Sequence, residues 1–272
     1  MINNFAAFEL NVEIAAQKVF SIGSFEVTNA MLTGLVGLIL TIMILFYVGI
    51  MVRLGKYNRF VGLVQWVFEG LINQINEVIP DRKLARKITP LVVTIFFLVI
   101  INYWLSILPG LDTIKVNGAP LLRSPTADLN FVAGLAIVTV VTVQIYAIKH
   151  LGVFGNAKRY FRNPFKDPIG SFEGFLELIG EFSRGASLAL RLFGNAFAGE
   201  VLLVVIVLLA GLFSVAVLPI FMLFEMLIGF IQAYVFFVLT LIFTALAVSS
   251  HGSTEHDEHS PIDESNSVVL VE

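Results

Sequence analysis

Cysteine is missing from this sequence altogether. That excludes disulfide staples, thiolate nucleophiles and cysteine-ligated zinc, and it leaves the redox compartment unmarked. Charge is scarce as well: 14% of the residues are charged against 57% hydrophobic, with a mean hydropathy of +0.89. A soluble domain carries about 25% charged residues, so the solvent for most of this chain is lipid. No G-x-x-x-x-G-K-[ST] phosphate loop occurs, which removes the commonest way of binding and hydrolysing a nucleotide. Any energy source is therefore expected outside the chain, which is non-catalytic by itself. The first 24 residues lack a compact apolar run, carry Glu9 and Glu13, and have Lys18 as their only basic residue. No secretory signal peptide is expected there, and the first apolar stretch is read as a retained span.

What is present is a series of long apolar runs. A bilayer core of about 30 Å needs about 20 apolar helical residues, and charge-free runs of that order lie at Ala30 to Val52, Ile88 to Leu111 and Leu129 to Ile148. The link after the first is rich in Arg and Lys, from Arg53, Lys56 and Arg59 to Arg82, Lys83, Arg86 and Lys87. The link after the second has only Lys115 and Arg123, and the link after the third is basic again, with Lys149, Lys158, Arg159, Arg162 and Lys166. The positive-inside rule then places the N-terminus outside and the first and third links in the cytoplasm. Within the first link, Phe60, Leu63, Val64, Val67, Leu71, Ile72 and Ile75 recur at helical spacing, with Gln65, Glu69, Asn73 and Asn76 mostly on the other side, which predicts an amphipathic helix on the cytoplasmic membrane surface. Pro109 to Asp128, with Gly118, Pro120 and Pro125, reads as an external loop.

Beyond Pro168 the pattern changes. About 40 residues run to Leu209 without proline, and a second stretch covers about Val217 to Ser249. At 1.5 Å per residue these would be about 60 and 50 Å long, too long to stand upright in the bilayer, so both are expected to be steeply inclined, broken, or partly outside the lipid. The hairpin between them is placed at Ala210 to Pro219. The expected architecture is an all-α integral membrane protein, in which three or four conventional transmembrane or interfacial helices precede a hairpin of two very long tilted ones. One membrane domain, 30–250, lies between an external segment, 1–29, and a polar tail, 251–272. That tail has six acidic and no basic residues, and its His251, His256 and His259 are read as solvated rather than metal-ligating.

An ionisable side chain in lipid costs several kcal/mol and is a functional hypothesis by default. The fourth long element carries Glu173, Glu177, Glu181, Arg184, Arg191 and Asn195. At 100° per residue these fall at about 0, 40, 80, 20, 0 and 40°, on one narrow face. Glu200, nine residues past Arg191, points about 180° away and lies about 13 Å further along the axis. Glu225 sits early in the returning helix, with Gln232 seven residues later on the same face. Carboxylates thus approach from opposite sides, interrupted by a guanidinium that stays charged at any physiological pH. Ser187, Leu188, Gly194 and Asn195 flank Arg191 at three and four residues, so no acid of its own helix neutralises it, and its partner is expected from another helix or another chain. The plainer readings are a local ion pair for Glu181 and Arg184, a first-turn acid for Glu173, interhelical glue or snorkelling for Arg191, and a shared-proton pair for Glu200 and Glu225.

The segment SLALRLFGNAFAGE, Ser187 to Glu200, closely resembles the one that carries the essential arginine in the a subunit of bacterial and organellar F-type ATP synthases. FIQAYVFFVLT, Phe230 to Thr240, resembles the matching part of that family's last helix, and SPTADLN, Ser124 to Asn130, the entry to a middle span. The resemblance implies that Arg191 faces the carboxylates of a rotating c-ring, with Asn195 and Ser187 in support. It implies that Glu200, Glu225 and Gln232 line a half-channel from the outside, and that Glu177, with Glu181, lines the opposite one. Some family members have histidine at one of the positions matching Glu200 and Glu225, whereas here both are glutamate; Arg184 stands where others have lysine. The implied partners are the c-ring, b-type peripheral stalk subunits, the remaining ATP synthase subunits and membrane lipid, with no cofactor, metal or nucleic acid. The implied location is the bacterial inner membrane. The alternative function is a self-sufficient ion channel or secondary transporter, against which stands the absence of repeated halves and of arginine at every third position.

Overall fold

The computed structural model describes residues 16–23, 25–79, 81–108, 115–116, 119–120, 122–160 and 168–249. The polar tail and its histidines lie outside these. The described chain opens with an antiparallel hairpin of β1 (Lys18–Ile22) and β2 (Phe25–Thr28), an element within the 1–29 segment that the sequence reading did not assign. Its turn uses Gly23 at φ +63°, and Lys18 pairs with Glu26 across the strands. Thr28 then caps α1 (Asn29–Arg53), its hydroxyl accepting from the Met31 amide at 3.3 Å. Asn29 ties the helix back to the hairpin by accepting from the Gln17 amide.

Helix α1 is apolar on all sides, and Leu35, Ile39, Ile42, Met43 and Phe46 are exposed along it, as suits a helix solvated by hydrocarbon rather than water. Helix α2 (Arg59–Val78) is amphipathic as expected. It packs Val61, Val64, Leu71 and Ile75 inward and leaves Leu63 and Trp66 exposed.

Asp81 caps α3 (Arg82–Ile107), accepting from the Lys83 amide at 2.9 Å. This helix starts a full turn and a half before the charge-free run predicted from Ile88, because a cap and a basic first turn are compatible with helix but invisible to a hydropathy window. Two short strands, β3 (Lys115–Val116) and β4 (Ala119–Pro120), pair in the loop that follows.

Helix α4 (Leu129–Tyr160) is broken at Gly152, whose φ of +77° only glycine adopts without strain. The final turns fold back far enough for Asn156 and Tyr160 to reach Gln144. The hairpin then follows: α5 (Pro168–Ala210), a 3-10 turn at Gly211–Phe213 beginning with Gly211 at φ +51°, and α6 (Ser214–Ser249). Pro219, placed at the edge of the hairpin turn by sequence, lies inside α6. With 43 residues, α5 is about 65 Å long, twice the thickness of a bilayer core.

Among the described residues, four stretches are long and apolar enough to span a membrane, the last containing both α5 and α6. The core forms where α3 meets α6 and α5: Ile88, Val92, Phe96 and Val99 pack with Phe236, Phe237, Leu241, Leu188 and Leu192. Phe96 makes edge-to-face contacts with Phe97, Phe230 and Phe237 at centroid distances of 5.3, 6.0 and 6.3 Å, a favoured aromatic geometry. Hydroxyls inside the helices are satisfied locally. Thr41, Ser106, Thr139, Thr240 and Thr244 each donate to the carbonyl four residues back, so none of these donors is stranded in lipid.

Candidate functional site

Helix α5 leans on α4 and α6 with Leu188, Ala189, Leu192, Ala196 and Gly199 buried. The wheel that buries these residues turns Ser183, Ser187, Arg191, Gly194, Asn195 and Ala198 outward, and all six are exposed. Arg191 is therefore a cation on an open face, flanked by small residues. Among the described residues it has no ion pair, hydrogen bond or ring contact. The sequence expectation that no acid of its own helix neutralises it agrees with this geometry.

Two polar clusters lie on either side of Arg191 along α5. Toward the hairpin turn, Glu225 of α6 is 4% exposed and its Oε1 accepts a hydrogen bond from the Tyr103 hydroxyl of α3 at 2.6 Å. Two glycines make this possible. A Cβ at Gly199 would overlap the Glu225 carboxylate, and one at Gly229 would overlap the Tyr103 ring. Trp104 adds a second link between the same helices, its indole N–H donating to the Met226 carbonyl at 3.0 Å. Glu200, half-buried, follows Gly199 directly on α5. One turn of α5 nearer to Arg191, Asn195 donates to Gln232 Oε1 at 2.8 Å, while Gln232 Nε2 is buried with no hydrogen-bond partner among the described residues.

The other cluster lies toward the start of α5. Gln144 of α4 donates to Glu181, and the same amide meets the Tyr160 hydroxyl at 3.2 Å and accepts from Asn156 at 3.3 Å. Arg184 stands 3.8 Å from Glu181 and 5.3 Å over the Phe243 ring, so the local pairing of Glu181 and Arg184 is loose and shared with an aromatic face. Beside them is a cavity of about 20 Å³ lined by Thr139, Gln144, Glu181, Arg184, Leu188 and Phe243, among others. That is room for one water among polar partners. Glu177 is half-buried one turn before Glu181, and Glu173 is exposed.

The structure thus joins Asn195 with Gln232 and brings Glu225 against the turn of α5 that carries Glu200, and it sets Glu181 apart with α4. Tyr103 and Gln144 were not singled out from sequence. Both carry a signal, since Asn102-Tyr103-Trp104 interrupts the apolar run of α3 and Gln144 is an amide deep in the apolar run of α4. Neither position says which carboxylate it meets.

Comparison with known proteins agrees with the layout. The ATP synthase A chain family matches residues 30–245. ATP synthase subunit a 2 of Photobacterium profundum is 30% identical over 239 residues, covering 84% of this chain and 90% of that protein. ATP synthase subunit a of Acidothermus cellulolyticus is 31% identical over 232 residues, covering 80% of this chain and 79% of its own. ATP synthase subunit a of Mycobacterium tuberculosis is 33% identical over 198 residues, covering 69% and 74%. With the match running from the first turn of α1 into the last turns of α6, the chain belongs to the ATP synthase A chain family, the a subunit of the F-type enzyme.

Proposed function

We propose that this subunit is the stationary proton conductor of the synthase membrane sector, with two offset half-channels that load and unload protons on a rotating c-ring. The observation that carries the reading is Arg191. A permanent cation on an open face of an apolar helix, without an acid from the described chain, fits a counter-ion supplied by a neighbouring protein. The small residues around it, Ser187, Gly194 and Ala198, leave space for another helix to pass close by.

The proton path has physical parts on either side of that cation. From outside, a proton passes Glu200, Glu225 and Gln232 to a ring carboxylate, which becomes neutral and crosses lipid at far lower cost than its ionised form. After nearly a full turn it meets the second half-channel and gives its proton to Glu177 and Glu181, which pass it to the cytoplasm. The ionised carboxylate is then attracted to Arg191, and the same fixed charge repels protons and keeps the two aqueous paths from joining. Asn195 and Ser187 support the guanidinium face. The b-type peripheral stalk subunits hold the chain against the rotating ring, and the remaining synthase subunits convert rotation into ATP. Each proton crossing 100 mV supplies about 2.3 kcal/mol, so several pass per ATP. The chain sits in the bacterial inner membrane with its N-terminus outside and its C-terminus in the cytoplasm.

ATP-driven acidification of inverted vesicles containing the whole complex tests this, run with and without sodium. Arg191→Ala is expected to give no acidification at normal assembly of the complex. Full pumping by Arg191→Ala overturns the assignment, and ATP-driven uptake of sodium without acidification makes sodium the conducted ion instead.

A further inference from the structure

We infer that Tyr103 is a positioning residue for Glu225, holding one carboxylate oxygen so that the other exchanges the proton; this rests on the external half-channel reading above. The argument is geometric. Tyr103 and Glu225 are 2% and 4% exposed and come from different helices, yet their contact is a hydrogen bond of 2.6 Å to Oε1. A buried carboxylate is costly without a donor, and among the described residues no other donor reaches this one.

The surroundings are shaped to the pair. Gly199 of α5 lies where any Cβ would overlap the carboxylate, and Gly229 of α6 lies where any Cβ would overlap the phenol ring. Three helices therefore close on a single hydrogen bond. The next residue along each helix repeats the tie, with Trp104 bonded to the Met226 carbonyl at 3.0 Å, so α3 holds the turn of α6 that carries the acid. With Oε1 anchored, Oε2 is the oxygen on which a proton arrives and from which it leaves. The phenol keeps its own proton throughout, donating to Oε1 whether the carboxyl is neutral or ionised.

Two measurements on the assembled complex test the inference. Tyr103→Phe keeps the ring that Gly229 accommodates and removes only the donor. Proton pumping is expected to fall on the order of tenfold, the size expected for a lost hydrogen bond to a charged group, with assembly unchanged. In infrared difference spectra, the carboxyl C=O band that disappears in Glu225→Gln is expected to move to higher wavenumber in Tyr103→Phe, because a hydrogen bond to that oxygen weakens the C=O stretch. Wild-type pumping by Tyr103→Phe, or a band that stays in place, overturns the positioning role while leaving the half-channel reading intact. Wild-type pumping by Glu225→Gln removes Glu225 from the path and overturns both.

Discussion

The two polar clusters beside Arg191 solve the same problem differently. Toward the hairpin turn, Glu225 is closed in by α3, α5 and α6, its position set by a phenol and by two glycines that leave no slack. Toward the start of α5, Glu181 accepts from an amide of α4, shares a loose contact with Arg184, and borders a cavity with room for a water. Packing dictates the geometry of the first cluster, whereas water and mobile side chains can substitute for lost partners in the second. Substitutions at the turn-side cluster should therefore be costlier and harder to rescue.

The largest contrast is expected between two glycines. Gly199→Ala drives a methyl into the Glu225 carboxylate, so helix α5 must shift away from α6, at about 1–3 kcal/mol of overpacking. ATP-driven pumping should be nearly abolished, and thermal unfolding of the purified complex should begin earlier. Gly185→Ala, beside the second cluster, meets only the Val140 Cγ2 methyl at 3.0 Å. That side chain can rotate or shift, and pumping should stay above half of wild type. Equal loss in both variants would erase the distinction between the clusters.

A second pair sharpens it. Gln232→Leu removes the acceptor of the Asn195 amide at a buried site, and is expected to lower pumping about tenfold. Gln144→Leu removes the donor to Glu181, but a water in the adjoining cavity can take its place, so a loss of about two- to threefold is expected. Measured rates in the reverse order would show the start-side cluster to be the more rigid of the two.

The smallest effects are expected on exposed ground. Gly194→Ala has open space around its Cβ position, so thermal stability of the isolated subunit should not change. If a ring helix passes that face, the larger Gly194→Val should still impair pumping in the whole complex. Glu173→Gln, at an exposed position near the start of α5, should pump at the wild-type rate, and a marked loss there would extend the second cluster by two turns.

How legible the molecule was depends on which physical signal each element leaves in one dimension. The helices α1, α3 and α4 announce themselves through unbroken apolar length, and α2 through its spacing of Val64, Leu71 and Ile75. The hairpin of β1 and β2 did not, because two strands of five and four residues leave almost no pattern. The break at Gly152 was also missed: a glycine just past the end of an apolar run is common, and only the positive φ reveals that the chain turns there. Within the candidate site, Arg191 and the glutamates of α5 and α6 stand out in the sequence because charge in an apolar helix is rare. Tyr103 was not, since an aromatic residue in a membrane span is ordinary until its hydroxyl meets an acid 122 residues away.

Sequence alone determined the solvent of this chain, the long apolar runs at the heart of its helices and the face of α5 on which Arg191 lies, because hydropathy and helical period are properties of neighbours along the chain. Tertiary structure alone decided which acid meets which donor. Tyr103 reaches Glu225 because glycines at 199 and 229 let three helices approach, Gln144 reaches Glu181 because α5 packs along α4, and the break at Gly152 brings Asn156 and Tyr160 back to the same amide. Close approach between distant segments depends on shape summed over several helices, which no local window of residues contains.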